Sequence, residues 1–225
     1  MAKKAPRRTA ERILTATLQL FNRYGEPNVA TTLIASDMGI SPGNLFYHYA
    51  SKEALVNALF DAYQQEMLGL LPAAGDVRDL EDAWFFMHSL FELIWRYRFL
   101  YRDLNDLLSK NRHLESQVKD ILALKEQAFQ LLLAKLAHAS LMQQNDTERA
   151  SSATQMVVML TWWLSYEYVR NPRHAMEDGS AEHGVLRGAQ QVLGLLLPYL
   201  KTAPRAQLQA LMQVYASAPE ASTSA

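Results

Sequence analysis

The sequence predicts an all-α protein. Apolar residues recur at the 3.6-residue spacing of amphipathic helices through most of the 225 residues, and no segment shows the alternation of a half-buried strand. Glycine and proline interrupt this pattern at Gly25, at Gly39 and between Pro72 and Gly75, where helices should end. We therefore predict about nine or ten helices and no sheet.

The first four helices are predicted from their apolar faces and from residues that start or stop a helix. Their approximate bounds are Thr9–Tyr24, Thr31–Met38, a third helix beginning at Ser41 and Ser51–Leu71. Ser41 suits an N-cap because its hydroxyl can accept a hydrogen bond from a free backbone N–H, and Pro42 suits the first helical position. Thr31 is assigned the same capping role.

Six more helices are predicted beyond the break at Pro72–Gly75. They span roughly 78–97, 99–108, 112–140, 147–170, 181–200 and 204–216. A polar loop is expected over 171–180. The tail over 217–225, rich in proline, serine and alanine, is expected to be disordered.

The break divides the chain into a domain over 1–55 and a domain over 72–216, connected by the helix over 51–71. Charge divides in the same way. The whole chain has a net charge of −1, but residues 1–49 hold six lysines and arginines against three acidic residues. A basic front on an acidic body indicates an anionic partner for the front.

The composition excludes several classes of protein. The chain has no cysteine, which removes disulfides, thiol catalysis and thiolate metal sites. The basic start is not followed by an unbroken apolar run, so we predict no signal peptide. The most apolar segment, Met156–Val169, is shorter than the roughly 20 residues of a membrane span. We expect a soluble, cytoplasmic protein without membrane contact.

The second and third helices have the spacing of a helix-turn-helix. Ile34 and Met38 lie four residues apart on one face, and Ala35 is small where another helix would cross. Gly39 suits a tight turn that needs a positive φ. Leu45 and Tyr49 then give the third helix a buried side. In this motif the second of the two helices enters the DNA major groove.

The opposite face of the third helix carries side chains that suit DNA. Gly43 allows a close approach of the backbone, while Asn44 and Tyr47 could contact base edges. His48 and Lys52 could contact phosphates. A helical pair packed for structure alone is the alternative, but a tyrosine exposed beside glycine and asparagine is a poor solvent face.

These residues resemble the DNA-binding domain of TetR-family transcriptional regulators. The matching elements are Arg12-Ile-Leu, Ala16, Leu20-Phe21, Gly25, Thr31-Thr32, Ile34-Ala35, Gly39-Ile40-Ser41, Gly43-Asn44-Leu45, His48-Tyr49 and Lys52-Glu53-Ala54-Leu55. The resemblance implies a homodimer, usually a repressor, that binds double-stranded DNA and has a ligand-responsive C-terminal helical domain. The segment from Tyr97 to Asp103 also resembles one C-terminal subgroup of these repressors.

By this resemblance we predict a set of DNA contacts. The set is Thr31, Thr32, Gly43, Asn44, Tyr47, His48 and Lys52. Phe46 stands where the family most often has a tyrosine whose hydroxyl contacts a phosphate, and Tyr47 could replace that contact.

The helix predicted over 78–97 is apolar on nearly every side, which indicates a central position in its domain. His88 and Glu92 are exceptions, one turn apart, and a satisfied polar pair in the core is one interpretation. The other is a small-molecule cavity for a hydrophobic or aromatic effector, since such cavities combine apolar walls with few polar groups. The predicted lining is His88, Phe91, Trp95, Tyr101, Trp163 and Tyr166.

The helices over 147–170 and 181–200 are predicted to form the homodimer interface. Three glycines, Gly184, Gly188 and Gly194, would allow close approach. The apolar residues assigned to this interface are Met156, Val157, Leu160, Trp163, Leu164, Val185, Ala189, Val192, Leu193, Leu196 and Leu200. A purely internal core is the alternative, but it would not account for so much apolar surface.

The sequence lacks the motifs of common enzymes. It has no phosphate-binding glycine loop, no HExxH metal site and no GxSxG nucleophile elbow. His174, Glu177, Asp178 and His183 are loosely spaced and are expected to be solvated rather than metal-bound. We predict no catalytic site, metal or cofactor, and a DNA-binding transcriptional regulator. An all-α interaction protein and a small-molecule-modifying enzyme remain the alternatives.

Overall fold

The computed structural model describes residues 6–172 and 181–216, and within these ranges the chain is all α-helical, as predicted. The α-helices are α1 Pro6–Tyr24, α2 Thr31–Asp37, α3 Pro42–His48, α4 Lys52–Leu70, α5 Leu80–Arg96, α6 Arg98–Arg102, α7 Leu104–Lys110, α8 Arg112–His138, α9 Asp146–Arg170, α10 Ala181–Gly194 and α11 Thr202–Ala216. Short 3-10 helices cover Glu26–Asn28 and Leu71–Asp76. An isolated antiparallel bridge pairs Met142 with Leu200.

Several predicted elements differ from those observed. The predicted helix over 99–108 is two helices, α6 and α7, because Asp103 leaves the helical conformation. The helix predicted over 181–200 ends at Gly194. Thr31 is not a cap, because Ala30 occupies that position in an extended conformation and offers no side-chain acceptor. The predicted tail over 217–225 and most of the predicted loop, 173–180, lie outside the described residues.

The described chain forms two compact units. The first contains the segments 1–65 and 97–117, and the second contains 66–96 and 118–225. The first unit therefore combines the helix-turn-helix region with α6, α7 and the start of α8. The predicted boundary at Pro72 would place these last elements in the C-terminal domain.

The first unit is built around the apolar face of α1. Ile13 and Phe21 are fully buried there, and Ile34 of α2 and Leu45 of α3 join them in the core. Burial of four such side chains contributes roughly 1.5–3 kcal/mol each relative to exposure. This core fixes the sides of α2 and α3 that face inward, so their other sides are left for a partner.

The second unit is built around α5, as its apolar sequence predicts. Leu80, Met87, Leu90, Phe91 and Ile94 are fully buried. The facing residues of α8, α9 and α10 are buried as well, among them Phe129, Leu132, Met156, Leu160, Ala189 and Val192. No helix in the described ranges has the length and apolar character needed to cross a membrane.

Candidate nucleic-acid interface

The turn between α2 and α3 has helix-turn-helix geometry. Gly39 has a φ of 64°, a conformation that is cheap only for glycine. Its neighbour Ile40 donates its backbone N–H to the carbonyl of Ala35 at 3.0 Å, which closes the end of α2. Ala35 is buried, as expected for a crossing point of two helices. The sequence therefore predicted both the turn and its packing.

The start of α3 is fixed by its cap. Ser41 Oγ accepts a hydrogen bond from the backbone N–H of Asn44 at 3.2 Å, and Pro42 occupies the first turn. Leu45 anchors the helix from below because its side chain is fully buried. The N-terminal end of α3 is therefore held while the residues beside Leu45 point outward.

The outward face of α3 carries the predicted base-contacting residues. Gly43 and Asn44 are exposed, and Tyr47 is 79% exposed. Tyr47 packs edge-on against the half-buried ring of His48, with ring centroids 5.1 Å apart. A glycine, an amide and a phenol thus lie on one exposed face, as the predicted set of DNA contacts requires.

The predicted contacts outside α3 lie in different environments. Thr32 is exposed and Thr31 is half-buried at the first turn of α2, where free backbone N–H groups attract phosphate. Lys52 is bound within the chain: its Nζ lies 2.6 Å from the carbonyl oxygen of Glu26 and 2.9 Å from Glu26 Oε1. A phosphate contact by Lys52 would have to compete with this pair.

The two other rings of α3 have separate positions. Tyr49 follows α3 as its C-cap and is half-buried, and its hydroxyl donates to the carbonyl of Ala10 at 3.4 Å. Partial burial, with the nearby charge of Glu11, raises the pKa of the Tyr49 phenol. Phe46 is exposed. Tyr49 thus packs against α1, and Phe46 lies on the surface without a hydroxyl to bind phosphate.

The six residues predicted to line an effector cavity lie in different environments in the structure. Phe91 and Trp163 pack closely around Gly188, where an added Cβ would lie 2.5 Å from Phe91 Cε1 and 2.8 Å from Trp163 Cδ1. Trp95 contacts Gly184, whose carbonyl accepts a 2.9 Å hydrogen bond from Trp163 Nε1. The backbone of α10 therefore fills the space between these three aromatic rings.

The remaining three predicted residues lie elsewhere. His88 Nε2 is 3.3 Å from Glu92 Oε1, and because Glu92 is exposed the pair is not a core pair. Tyr101 belongs to the first unit, where its buried hydroxyl bonds to the hydroxyl of Tyr63. Burial raises the pKa of both phenols. Tyr166 is exposed on α9.

Tyr166 lies instead in a groove of about 910 Å³ between α9 and α10. We call it the α9–α10 groove. Its lining is Ser151, Thr154, Gln155, Val158, Met159, Trp162, Trp163, Tyr166, Arg170, Arg187, Gln191 and Leu195. Trp162 and Tyr166 are large rings that remain 41% and 53% exposed. The lining of the groove thus combines exposed aromatic rings with polar and charged side chains.

The apolar residues assigned to the dimer interface are internal, which corrects the prediction for that face. Leu160, Val185 and Leu196, like the others named, are buried against the chain's own helices. Among the exposed apolar residues of α9, Val158, Trp162, Tyr166 and Val169 are spaced three or four apart and form a stripe. The sequence did contain this second stripe, but two apolar stripes on one helix cannot be told apart by periodicity alone.

The burial of Lys125 was not predicted from the sequence. Its side chain on α8 is 2% exposed, and burial lowers the pKa of its ammonium to about 7. In sequence it resembles any solvated lysine of an amphipathic helix. No group of three potential metal-ligating side chains occurs within the described residues.

The fold and the exposed face of α3 define a helix-turn-helix protein of the DNA-binding class. Comparisons with known proteins agree with this. Residues 13–59 match the family model described as "Bacterial regulatory proteins, tetR family", and residues 62–208 match the one described as "Bacterial transcriptional repressor". The chain therefore belongs to the TetR family of transcriptional regulators.

Individual relatives cover different shares of the chain. A TetR-family transcriptional regulator from Marinobacter aquaeolei VT8 is 31% identical with a TM-score of 0.79, and the match covers 92% of this chain and 98% of that one. The HTH-type transcriptional regulator UidR of Escherichia coli (strain K12) is 38% identical over 60 residues, which are 27% of this chain and 31% of UidR. This match therefore spans less than a third of UidR.

More distant structures share the fold alone. The ketosteroid transcriptional regulator KstR2 of Mycobacterium tuberculosis is 19% identical with a TM-score of 0.64, and the match covers 89% of this chain and 98% of KstR2. A transcriptional regulator from Saccharomonospora viridis in complex with choline is 16% identical with a TM-score of 0.66, over 87% and 99% of the two chains.

Proposed function

We propose that this TetR-family regulator is a homodimeric repressor that binds a pseudo-palindromic operator and leaves it when a small hydrophobic or aromatic effector binds. The observation that carries the proposal is the exposed face of α3, where Gly43, Asn44 and Tyr47 project from a helix that Ser41 caps and Leu45 anchors. Such a face buries nothing within the described chain, so a partner is the physical reason for its composition.

In this proposal α3 enters the major groove. Gly43 lets the backbone approach the bases, and Asn44 can pair with the N6 and N7 edge of adenine. Tyr47 and His48 reach phosphates beside the groove, and the N-terminal turn of α2, at Thr31 and Thr32, reaches another. Lys52 reaches a phosphate in this proposal only when its ion pair with Glu26 opens.

A second copy of the chain covers the α9–α10 groove in the same proposal. Val158, Trp162 and Tyr166 would supply the apolar centre of a two-fold interface, and Arg170 and Gln191 part of its polar rim. A two-fold dimer gives two recognition helices, whose half-sites should lie about 34–36 Å apart. Contact between the aromatic rings of the two copies would remove this exposed aromatic surface from water.

The effector part of the proposal is supported by two structural neighbours and by the aromatic residues around α10. One structural neighbour is a ketosteroid regulator, and another was solved with choline. Phe91 and Trp163 lie close to Gly188, and Trp95 lies close to Gly184, so we call these three rings the aromatic cluster around α10. An apolar effector that enters beside α10 would displace Gly188 from this cluster. The resulting shift of α10 would bias the dimer towards a spacing that no longer fits both half-sites.

The test of DNA binding uses the duplex upstream of the protein's own gene, with a salt titration. Specific binding should weaken as salt rises, with log K falling by about 0.9 per phosphate contact for each unit of log salt. Specific binding that is insensitive to salt would contradict the phosphate contacts. Failure to retain non-specific duplex at low salt would favour a protein partner for the front end instead.

Tyr47→Ala tests the recognition face separately. We expect weaker operator binding by about 1–3 kcal/mol with an unchanged dimer, because the Tyr47 side chain is 79% exposed and lies on α3 of the first unit. Tyr168→Ala, on α9 of the second unit and outside the groove lining, is the matched control and should bind DNA normally. Dissociation of the Tyr47→Ala dimer would show that this ring has been assigned to the wrong surface.

The effector is tested by native mass spectrometry of the purified dimer, followed by DNA-binding assays with any compound that copurifies. A ligand that quenches tryptophan emission and lowers operator affinity supports the proposal, since Trp95 and Trp163 both lie in the cluster. A bound compound that leaves operator affinity unchanged would refute the role as effector.

A further inference from the structure

Two adjacent charged side chains bind the carboxyl end of α1 and the turn that follows it, where the Phe21 carbonyl also accepts the backbone N–H of Gly25 at 2.9 Å. Arg102 Nη2 donates to the carbonyl of Phe21 at 3.2 Å, and Asp103 Oδ2 accepts from the backbone N–H of Glu26 at 3.0 Å. Arg102 and Asp103 also bind each other, with Nε–Oδ1 and Nη2–Oδ2 distances of 3.1 Å. We call this pair the Arg102–Asp103 clamp, because it binds on both sides of the turn that follows α1.

The clamp is shielded from solvent and fits the turn closely. The side chains of Arg102 and Asp103 are 12% and 15% exposed, so their attraction is screened less than that of a surface pair. Gly25, within the turn, has a φ of 88°, and an added Cβ there would collide with Arg102 Nη2. The guanidinium therefore occupies the space that the missing side chain leaves.

Neighbouring contacts attach the same segment to α1. Phe99 donates its backbone N–H to Asn22 Oδ1 at 3.1 Å, which satisfies a free donor in the first turn of α6. The rings of Phe21 and Phe99 pack with centroids 5.2 Å apart, and both are fully buried. Residues 97–103 are thus bound to α1 by apolar as well as polar contacts within one compact unit.

The position of this turn determines where the helix-turn-helix, α2 and α3, begins. The 3-10 helix Glu26–Asn28 leads through the buried Val29 to α2, which starts at Thr31. On its other side the turn is held by Lys52, at the start of α4, through the carbonyl and carboxylate of Glu26. A displacement at Glu26 would therefore move α2, and α3 packs against α2.

We propose that Arg102 and Asp103 are positioning residues for operator recognition. They hold the turn after α1 so that α2 and α3 present their outer faces together, although neither residue contacts DNA. The inference rests on the proposed DNA binding. Its chemical basis is a charge-assisted pair that bonds a carbonyl at the end of α1 and a backbone N–H of the turn at the same time.

The experiment measures affinity for two duplexes of equal length: the upstream duplex, and a scrambled duplex at low salt. We expect Asp103→Ala to lower specific affinity at least about tenfold, the cost of roughly one mismatched base pair, and to leave non-specific affinity within about twofold. The salt dependence should not change, because no phosphate contact is removed. Asp82→Ala, which breaks the pair between Arg78, just before α5, and Asp82 in its first turn, is the matched control and should bind both duplexes normally.

Arg102→Lys keeps the charge but cannot bind Phe21 and Asp103 with one planar group, so it should lose at least about threefold in specific affinity. This variant decides the matter if Asp103→Ala does not fold. Variants that retain full operator preference would overturn the positioning role. A variant that loses specific binding, non-specific binding and the helical circular-dichroism signal together would also overturn the positioning role, because that pattern indicates a structural role alone.

A wild-type protein without sequence preference gives a different result. If neither the upstream duplex nor a randomised duplex pool yields a preferred site, the proposed function itself is refuted, and the positioning role with it. Preference in the wild type that persists in both variants refutes only the role of the clamp.

Discussion

Gly188→Ala should destabilise the protein although alanine is the better helix former. The added Cβ would lie 2.5 and 2.6 Å from two atoms of the Phe91 ring and 2.8 Å from the Trp163 ring, both of which are buried. Overpacking of this kind costs about 1–3 kcal/mol, and rigid rings on two sides place it near the upper end. The gain in helix propensity offsets about 1 kcal/mol. The free energy of unfolding should therefore fall by about 1–2 kcal/mol.

Gly69→Ala is the matched control for this change. Gly69 lies in α4, and no atom lies within 4 Å of an added Cβ, so the same substitution should stabilise by up to about 1 kcal/mol. Thermal unfolding followed by circular dichroism at one protein concentration should show a Tm about 2–8 °C lower for Gly188→Ala and slightly higher for Gly69→Ala. Equal or opposite shifts would refute the close packing of α10 against Phe91 and Trp163.

Two further changes test the second unit. Trp162→Glu should weaken the dimer by about 2 kcal/mol or more, because it places a charge in the α9–α10 groove. Sedimentation velocity should show monomers of this variant, and circular dichroism should show that they keep their helix content. Phe85→Glu, at an exposed position on α5, is the control and should stay dimeric. Lys125→Met should raise stability at neutral pH, because the lysine has a pKa of about 7 in the fold and near 10.5 when unfolded. At pH values between these two pKa values the unfolded state binds more protons than the folded state. The free energy of unfolding of the wild type should therefore rise by up to about 1.4 kcal/mol per pH unit relative to that of Lys125→Met. Urea titrations at several pH values that show a constant difference between the two proteins would contradict this account.

The helix-turn-helix could be predicted in detail because its determinants are local. Ser41 lies three residues before the N–H that it caps, and Gly39 meets a conformational requirement of its own residue. Ile34 of α2 and Leu45 of α3 each lie on the apolar face of their own helix, and that face is the buried one. Such signals can be read within a few residues, and the structure agrees with them.

Other features depend on contacts between distant residues. The predicted helix over 99–108 breaks at Asp103, whose carboxylate binds Glu26, 77 residues away. The packing of Phe91 and Trp163 depends on a distant residue in the same way, because Gly188 of α10 is the glycine that allows these two rings to lie close to its backbone. Periodicity shows that these residues are apolar, but not which other helix lies against them.

Asp103 closes α6 and opens α7, so the two helices share a single joint residue. An inserted or deleted residue at this joint would turn α7 by about 100° about its axis and carry Leu107 out of the core. We therefore expect changes of chain length among relatives to fall outside residues 97–110. That fixed spacing makes the segment a dependable anchor for aligning divergent members of this group.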